Sequence, residues 1–203
     1  DLTFSATDAL NNRGGTIEAS GTSGVLSLTA ASIDNTLSGR IANKGTGATS
    51  LSAPTVTGST LVAFIDNSGG TLGGNGNLTL STAELRNANG TILSNNNLTL
   101  NASKSLTNTS GKIYAFGNLN FSQTAATFNN TSGDISSSGT STYNLASLNN
   151  TSGKIVSTSD ISLTATTLSG NGTITANNDL GISRQGNYTY ASGGHTLASG
   201  ITR

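Results

Sequence analysis

Leu148 to Ile155 reads LNNTSGKI, and taken alone its Asn150-Thr151-Ser152-Gly153-Lys154 looks like a small phosphate-cradling loop. Its relatives within the chain argue otherwise. LTNTSGKI stands at Leu106 to Ile113, FNNTSGDI at Phe128 to Ile135, LRNANGTI at Leu85 to Ile92, IDNSGGTL at Ile65 to Leu72, IDNTLSGRI at Ile33 to Ile41 and LNNRGGTI at Leu10 to Ile17, with a weaker LSGNGTI at Leu168 to Ile174. From Ile65 onward the copies start at 65, 85, 106, 128, 148 and 168, a period of 20 to 22 residues. That period belongs to a solenoid, in which each repeat buries its apolar face only by stacking on its neighbours.

A second signature, apolar-x-apolar, accompanies the copies at Leu26/Leu28, Leu78/Leu80, Leu98/Leu100, Leu119/Phe121, Tyr143/Leu145, Ile161/Leu163 and Leu180/Ile182. The apolar residues alternate with period two between Gly, Asn and Thr, and nowhere repeat at i, i+3, i+4, i+7, so the elements are short strands. One period holds three strands and three corners, which makes a triangular coil. The expected fold is all-β: a right-handed parallel β-helix of roughly 8 to 9 coils, about 40 to 45 Å long at the spacing of paired strands.

Composition agrees. Of 203 residues, 30 are Ser, 33 Thr, 25 Asn and 26 Gly, while only 9% are charged and the acids and bases balance. Disordered chains combine low hydrophobicity with high net charge, and here Leu, Ile and Val recur regularly instead. Zero net charge leaves no basic stripe for nucleic acid. The absence of cysteine excludes disulfides and thiolate metal sites. No apolar run is long enough for a transmembrane helix.

The coil positions assign roles. Two residues before the Ile of each copy stands glycine: Gly15, Gly39, Gly70, Gly90, Gly111, Gly133, Gly153 and Gly172. A sharp corner requiring positive φ would select glycine there. Two residues after the first apolar position stands asparagine: Asn12, Asn35, Asn67, Asn87, Asn108, Asn130 and Asn150, with Gly170 in the last copy. Asn tolerates the left-handed region, and its stacked amides can form a hydrogen-bonded ladder along the rod. Lys112, Asp134 and Lys154 fall in one column, where alternating charges would resist a one-coil slip.

Catalytic chemistry is hard to assemble from these residues. Paired carboxylates for glycoside hydrolysis must lie about 5 to 9.5 Å apart. Asp34 and Asp66 are equivalent in copy, yet Asn11, Arg86, Thr107 and Asn129 share their position, as on a solvated face. His195, the only histidine, has no acid nearby for a metal site and reads as exposed. Gly111-Lys112 and Gly153-Lys154 lack the earlier glycine and following helix of a nucleotide-binding loop. Twelve Asn-x-Ser/Thr sequons barely exceed chance in so Ser- and Thr-rich a chain. No cofactor, metal or nucleotide is expected, and the chain is not expected to be an enzyme.

L-x-N-x-x-G-x-I followed by L-x-L, at a period near 20 and without cysteine, resembles the filamentous haemagglutinin repeat of bacterial two-partner-secreted exoproteins. The resemblance spans Leu2 to Ile182. It implies export through an Omp85-type outer-membrane transporter, folding outside the cell, and a secreted or surface location. It also implies the role of a shaft, either of an adhesin or of a contact-dependent growth-inhibition protein, with a receptor or glycan contacted by other regions of a longer chain. A carbohydrate-binding or polysaccharide-cleaving β-helix is the alternative, and ice binding a third reading. Ice binding would need a regular outward Thr column, whereas the Leu-x-Leu strands show Thr79 and Thr99 but Ser27, Asn120, Asn144, Ser162 and Gly181.

The single β-helix segment, 1–203, is expected to depart from the pattern twice. Residues 44–64, with Pro54, lengthen one period to 32 and read as an irregular insertion. Leu61, Val62 and Phe64 are expected to plug the core there, or else to form an exposed contact patch. Residues 184–203 lose the Asn column and read as an atypical final coil.

Overall fold

The computed structural model describes residues 1–55, 62–184 and 196–198. Among these, all regular structure is strand, and every strand pairs in parallel with its equivalent one period away. Ile92, Ile113, Ile135, Ile155 and Ile174 lie in register on successive coils, as do Leu78, Leu98 and Leu119. The backbone hydrogen bonds therefore run along the rod, and the inward side chains form columns. Leu26, Leu51, Leu72, Leu98, Ile113 and Leu148 are each wholly shielded from solvent. The result is a β-solenoid of about eight turns.

Three faces are present. The first begins with Leu2–Ser5, Leu26–Thr29 and Thr49–Ser52; the second with Ala9–Asn11, Ser32–Asp34 and Phe64–Asp66. The third runs as a separate nine-stranded sheet from Thr16–Ala19 to Thr196–Ala198. From Leu78 onward the expected three short strands become two. Leu78–Arg86, Leu98–Thr107, Leu119–Asn129, Ser141–Asn149 and Ile161–Ser169 each bend round the first corner without ending, so the first and second faces belong to one sheet.

From Leu78 onward, length variation gathers at that first corner. Its flanking inward residues are seven apart at Leu78/Leu85, eight at Leu98/Leu106, nine at Leu119/Phe128, and seven again at Ser141/Leu148 and Ile161/Leu168. Pairing shifts register here, between Thr82 and Glu84, Thr99 and Ser105, and Gln123 and Thr127. The third corner, by contrast, is six residues at Leu72/Leu78, Ile92/Leu98, Ile113/Leu119, Ile135/Ser141, Ile155/Ile161 and Ile174/Leu180. The whole drift of the period between 20 and 22 residues is absorbed on one edge of the rod.

The structure revises two readings of register. Within 44–64, Thr49–Ser52 is a regular rung of the first face, pairing with Leu26–Thr29 on one side and Leu78–Ser81 on the other. Thr49 takes a buried place usually held by leucine, which hid the strand from an apolar search. Among the described residues, the part of that segment outside any strand after Ser52 is 53–55 and 62–63, again at the first corner. Likewise Ser141 and Tyr143, rather than Tyr143 and Leu145, stack on Ile161 and Leu163. Ser141 is fully buried, its hydroxyl 2.7 Å from that of Ser137. The outward column thus holds Asn120, Thr142 and Ser162, with Asn144 one step along the strand. Tyr143 joins Phe128 in a stacked pair, and Phe128 meets Phe121 edge-on at 5.4 Å, filling the core where the corner is widest.

Candidate functional site

The second corner is built round the asparagines. Asn35, Asn67, Asn87, Asn108 and Asn130 have no solvent exposure, and Asn12 and Asn150 very little. Each Nδ2 donates to the Oδ1 of the asparagine one coil on: Asn12 to Asn35, Asn35 to Asn67, Asn67 to Asn87 and Asn87 to Asn108 at 2.7 Å, then Asn108 to Asn130 and Asn130 to Asn150 at 2.8 Å. The same Nδ2 groups also reach backbone carbonyls, as Asn35 does to Gly39 and Thr71, both at 3.0 Å. A buried amide is costly unless paired, so the ladder is kept whole by its own penalty. It ends at Gly170, where Asn150 donates instead to the carbonyl of Thr173.

The glycine column has a different cause from the one expected. None of Gly15, Gly39, Gly70, Gly90, Gly111, Gly133, Gly153 and Gly172 has positive φ, and neither do the ladder asparagines. The left-handed residue is the one before the glycine: Gly14, Ser38, Gly69, Asn89, Ser110, Ser132 and Ser152. Its amide commonly donates to the next coil, as Ser110 does to the Thr131 carbonyl at 3.0 Å, which holds a serine in a conformation it seldom adopts. The glycine is needed for room. From Gly39 onward, a Cβ at each would come within 3.0 Å of the backbone oxygen of the ladder asparagine one coil back. The asparagine and glycine columns therefore require each other.

Departures from seven residues at this corner change the backbone conformation. Ile33 to Ile41 spans eight, and both Leu37 and Ser38 are left-handed, with Leu37 65% exposed. Leu168 to Ile174 spans six, and Gly170 takes φ 105° where the asparagine is lost.

On the surface, Lys112, Asp134 and Lys154 do stand in register, but no ion pair joins them. Asp134 instead accepts a hydrogen bond from the Tyr114 hydroxyl at 3.0 Å, and Tyr114's acidity falls through partial burial and this carboxylate. Ion pairs occur elsewhere. Glu18 lies between Lys44, at 2.7 Å, and Arg40; hydrogen bonds from Lys44 and then Arg40 hold its carboxyl below the usual range. Asp34 and Asp66 are neighbours in register, each committed to a turn and facing an arginine. Asp34 accepts from the Thr36 amide and faces Arg13, while Asp66 accepts from the Ser68 amide and faces Arg86.

The expected core plug is not formed by the described residues. Val62 is 39% exposed, and Phe64 lies on the outer side of the second face with the Arg86 guanidinium 4.8 Å above its ring. Ala63 is the buried residue, and Leu61 and His195 lie outside the described residues. Sequence reasoning passed over Tyr114 and Phe116. Phe116 is 64% exposed, in a row whose neighbours are Asn75, Asn95, Ser138 and Thr158. One bulky ring among small polar residues was a signal available in the sequence once the register was known.

The haemagglutinin repeat family model matches residues 1–61, 46–111 and 117–183. No curated protein and no solved structure matches the chain.

Proposed function

We propose a function from one premise: the chain belongs to the haemagglutinin repeat family. The chain serves as a length of shaft in a secreted bacterial exoprotein, exported across the outer membrane by an Omp85-type partner and exposed at the cell surface. It carries adhesive, receptor-binding or toxin regions of a longer protein away from the cell.

The observation that carries this reading is the internal consistency of the rod. Nearly every coil spends its buried polar groups on its neighbours, through the amide ladder and the backbone rungs, so the residues common to the repeats serve stacking. The acids with the best catalytic spacing, Asp34 and Asp66, are occupied by turn amides and arginines. We therefore also read the chain as non-enzymatic. A lack of cysteine suits threading through a pore, since a crosslinked chain could not pass in extended form.

Antibody labelling of intact producing cells, with and without the transporter gene, tests the reading. Surface signal that disappears with the transporter is the expected result. Signal found only after lysis, in both strains, would overturn it.

A further inference from the structure

The charges in the middle of the third face are not spent within the rod. Lys112, Asp134 and Lys154 stand in register on successive coils, and no ion pair joins them among the described residues. Asp134 accepts the Tyr114 hydroxyl at Oδ2, and its Oδ1 has no hydrogen bond. Beside this column Leu93, Tyr114 and Val156 point outward in another, with Phe116, 64% exposed, on the far side. Size also changes abruptly along the rod. The rings of Tyr114 and Phe116 on one coil are followed by Ser136 and Ser138 on the next, which leaves a notch of about 160 Å³.

A second copy of the same face complements both features. Turned by 180° about an axis along the strands, it meets the first face column against like column, with the order of its coils reversed. An axis between the coil of Tyr114 and the coil of Ser136 sets Lys112 against Asp134 of the second copy, and Asp134 against Lys112. It also lays Tyr114 and Phe116 over Ser136 and Ser138 of the second copy, ring against gap, and Leu93 against Val156. Every contact occurs twice, as in an isologous dimer. Charge and size disfavour the other placements. An axis through the coil of Tyr114 opposes Lys112 to itself, and one through the coil of Ser136 opposes Asp134 to itself and Lys112 to Lys154, all like charges. An axis between the coils of Ser136 and Val156 matches Asp134 with Lys154 but sends Tyr114 against Thr175, away from the notch. An axis along the rod brings Tyr114 onto Tyr114, ring against ring.

We propose that two copies of this rod pair antiparallel through their third faces, about a two-fold axis between the coil of Tyr114 and the coil of Ser136. The pairing brings together six coils, from that of Thr71 to that of Thr173. Six coils span roughly 29 Å, and the strand with its flanking corner residues roughly 20 Å, so each copy covers roughly 600 Å². That total stands at the lower end of specific interfaces, with an apolar middle between polar rims, and the dimer is correspondingly weak. The Lys112, Asp134 and Lys154 column sets the register between copies rather than between coils.

The test is sedimentation equilibrium of the purified chain from micromolar to low millimolar concentration, with a mass rising toward twice that of the monomer as the expected result. Lys112→Asp and Asp134→Lys each oppose like charges in the pair and are expected to raise the dissociation constant at least tenfold. Mixed in equal amounts, these two variants put opposite charges at both contacts, so their heterodimer is expected to regain wild-type affinity. Asp134→Lys also removes the acceptor of Tyr114. Phe116→Ser is the arm independent of that bond; it is expected to keep the wild-type far-UV circular dichroism and to weaken pairing at least tenfold. A chain that stays monomeric throughout, association unchanged in Phe116→Ser or in both charge variants, or a mixture that associates no better than its components would each overturn the proposal. None of these outcomes bears on whether the rod is exported, so the shaft reading stands or falls separately.

Discussion

The corner after the second face and the corner after the first are turns of the same coil, yet they treat chain length in opposite ways. At the second, the inward residues are seven apart in six of eight copies, and the two exceptions show up at once as a second left-handed residue, Leu37, or as the φ of 105° at Gly170. At the first, spacings of seven, eight and nine follow one another, and none of the residues in these bends has positive φ. Even where Thr49 and Ile65 lie sixteen apart, the strands that carry them stay in register with the next coil. The difference lies in what is buried. The second corner takes an amide into the core and must place it 2.7 to 2.8 Å from the next, whereas the first corner turns on apolar side chains and asks for no directional contact.

Substitutions at the second corner should show the largest effects. Gly111→Ala would drive a Cβ against the Asn87 carbonyl and within 2.5 Å of the Asn108 Oδ1, and the backbone oxygen cannot move aside. A loss of about 3 to 5 kcal/mol is expected, read as a fall in the urea midpoint. Asn108→Ala removes the ladder acceptor of Asn87 and the ladder donor to Asn130, at about 2 to 3 kcal/mol by the same measurement. A cost below about 0.5 kcal/mol for either would mean that the ladder is ornament. Leu37→Gly should act in the other direction, raising stability by about 0.5 to 1 kcal/mol, because glycine adopts φ 55° without strain.

The smallest effect belongs to the surface. Glu18 has a lowered carboxyl pKa in the folded state, so its contribution is fully present above the unfolded value of about 4.3 and fades as pH falls through the lower folded value. Glu18→Gln should lower the midpoint slightly at neutral pH and flatten its acid-side fall, so that the two proteins converge as pH drops. Titration of the urea midpoint below pH 5 compares the two proteins.

The contrast between the corners also explains what the sequence revealed. The repeat, the solenoid class and the asparagine column were legible because the second corner admits few residue types at a nearly constant spacing. The glycine column was legible, but its cause was not: steric exclusion depends on the coil below, which a single repeat does not display. The first corner obscured register, since Ser141 and Thr49 fill core positions with hydroxyls and the spacing there drifts. Lys112, Asp134 and Lys154 were aligned correctly, yet their pairing was not, because Tyr114 reaches Asp134 from the adjoining column.

A matched pair of insertions tests this account most directly. Two glycines placed between Ser103 and Lys104 lengthen the first corner, and two placed between Thr109 and Ser110 lengthen the second, within the same coil. Loop closure alone predicts a cost under about 1 kcal/mol for the first. The second also breaks the Asn108 to Gly111 turn and should cost about 3 kcal/mol or more. Equal shifts in the urea midpoint for the two insertions would contradict the claim that the ladder corner holds its own length fixed while the first corner tolerates variation.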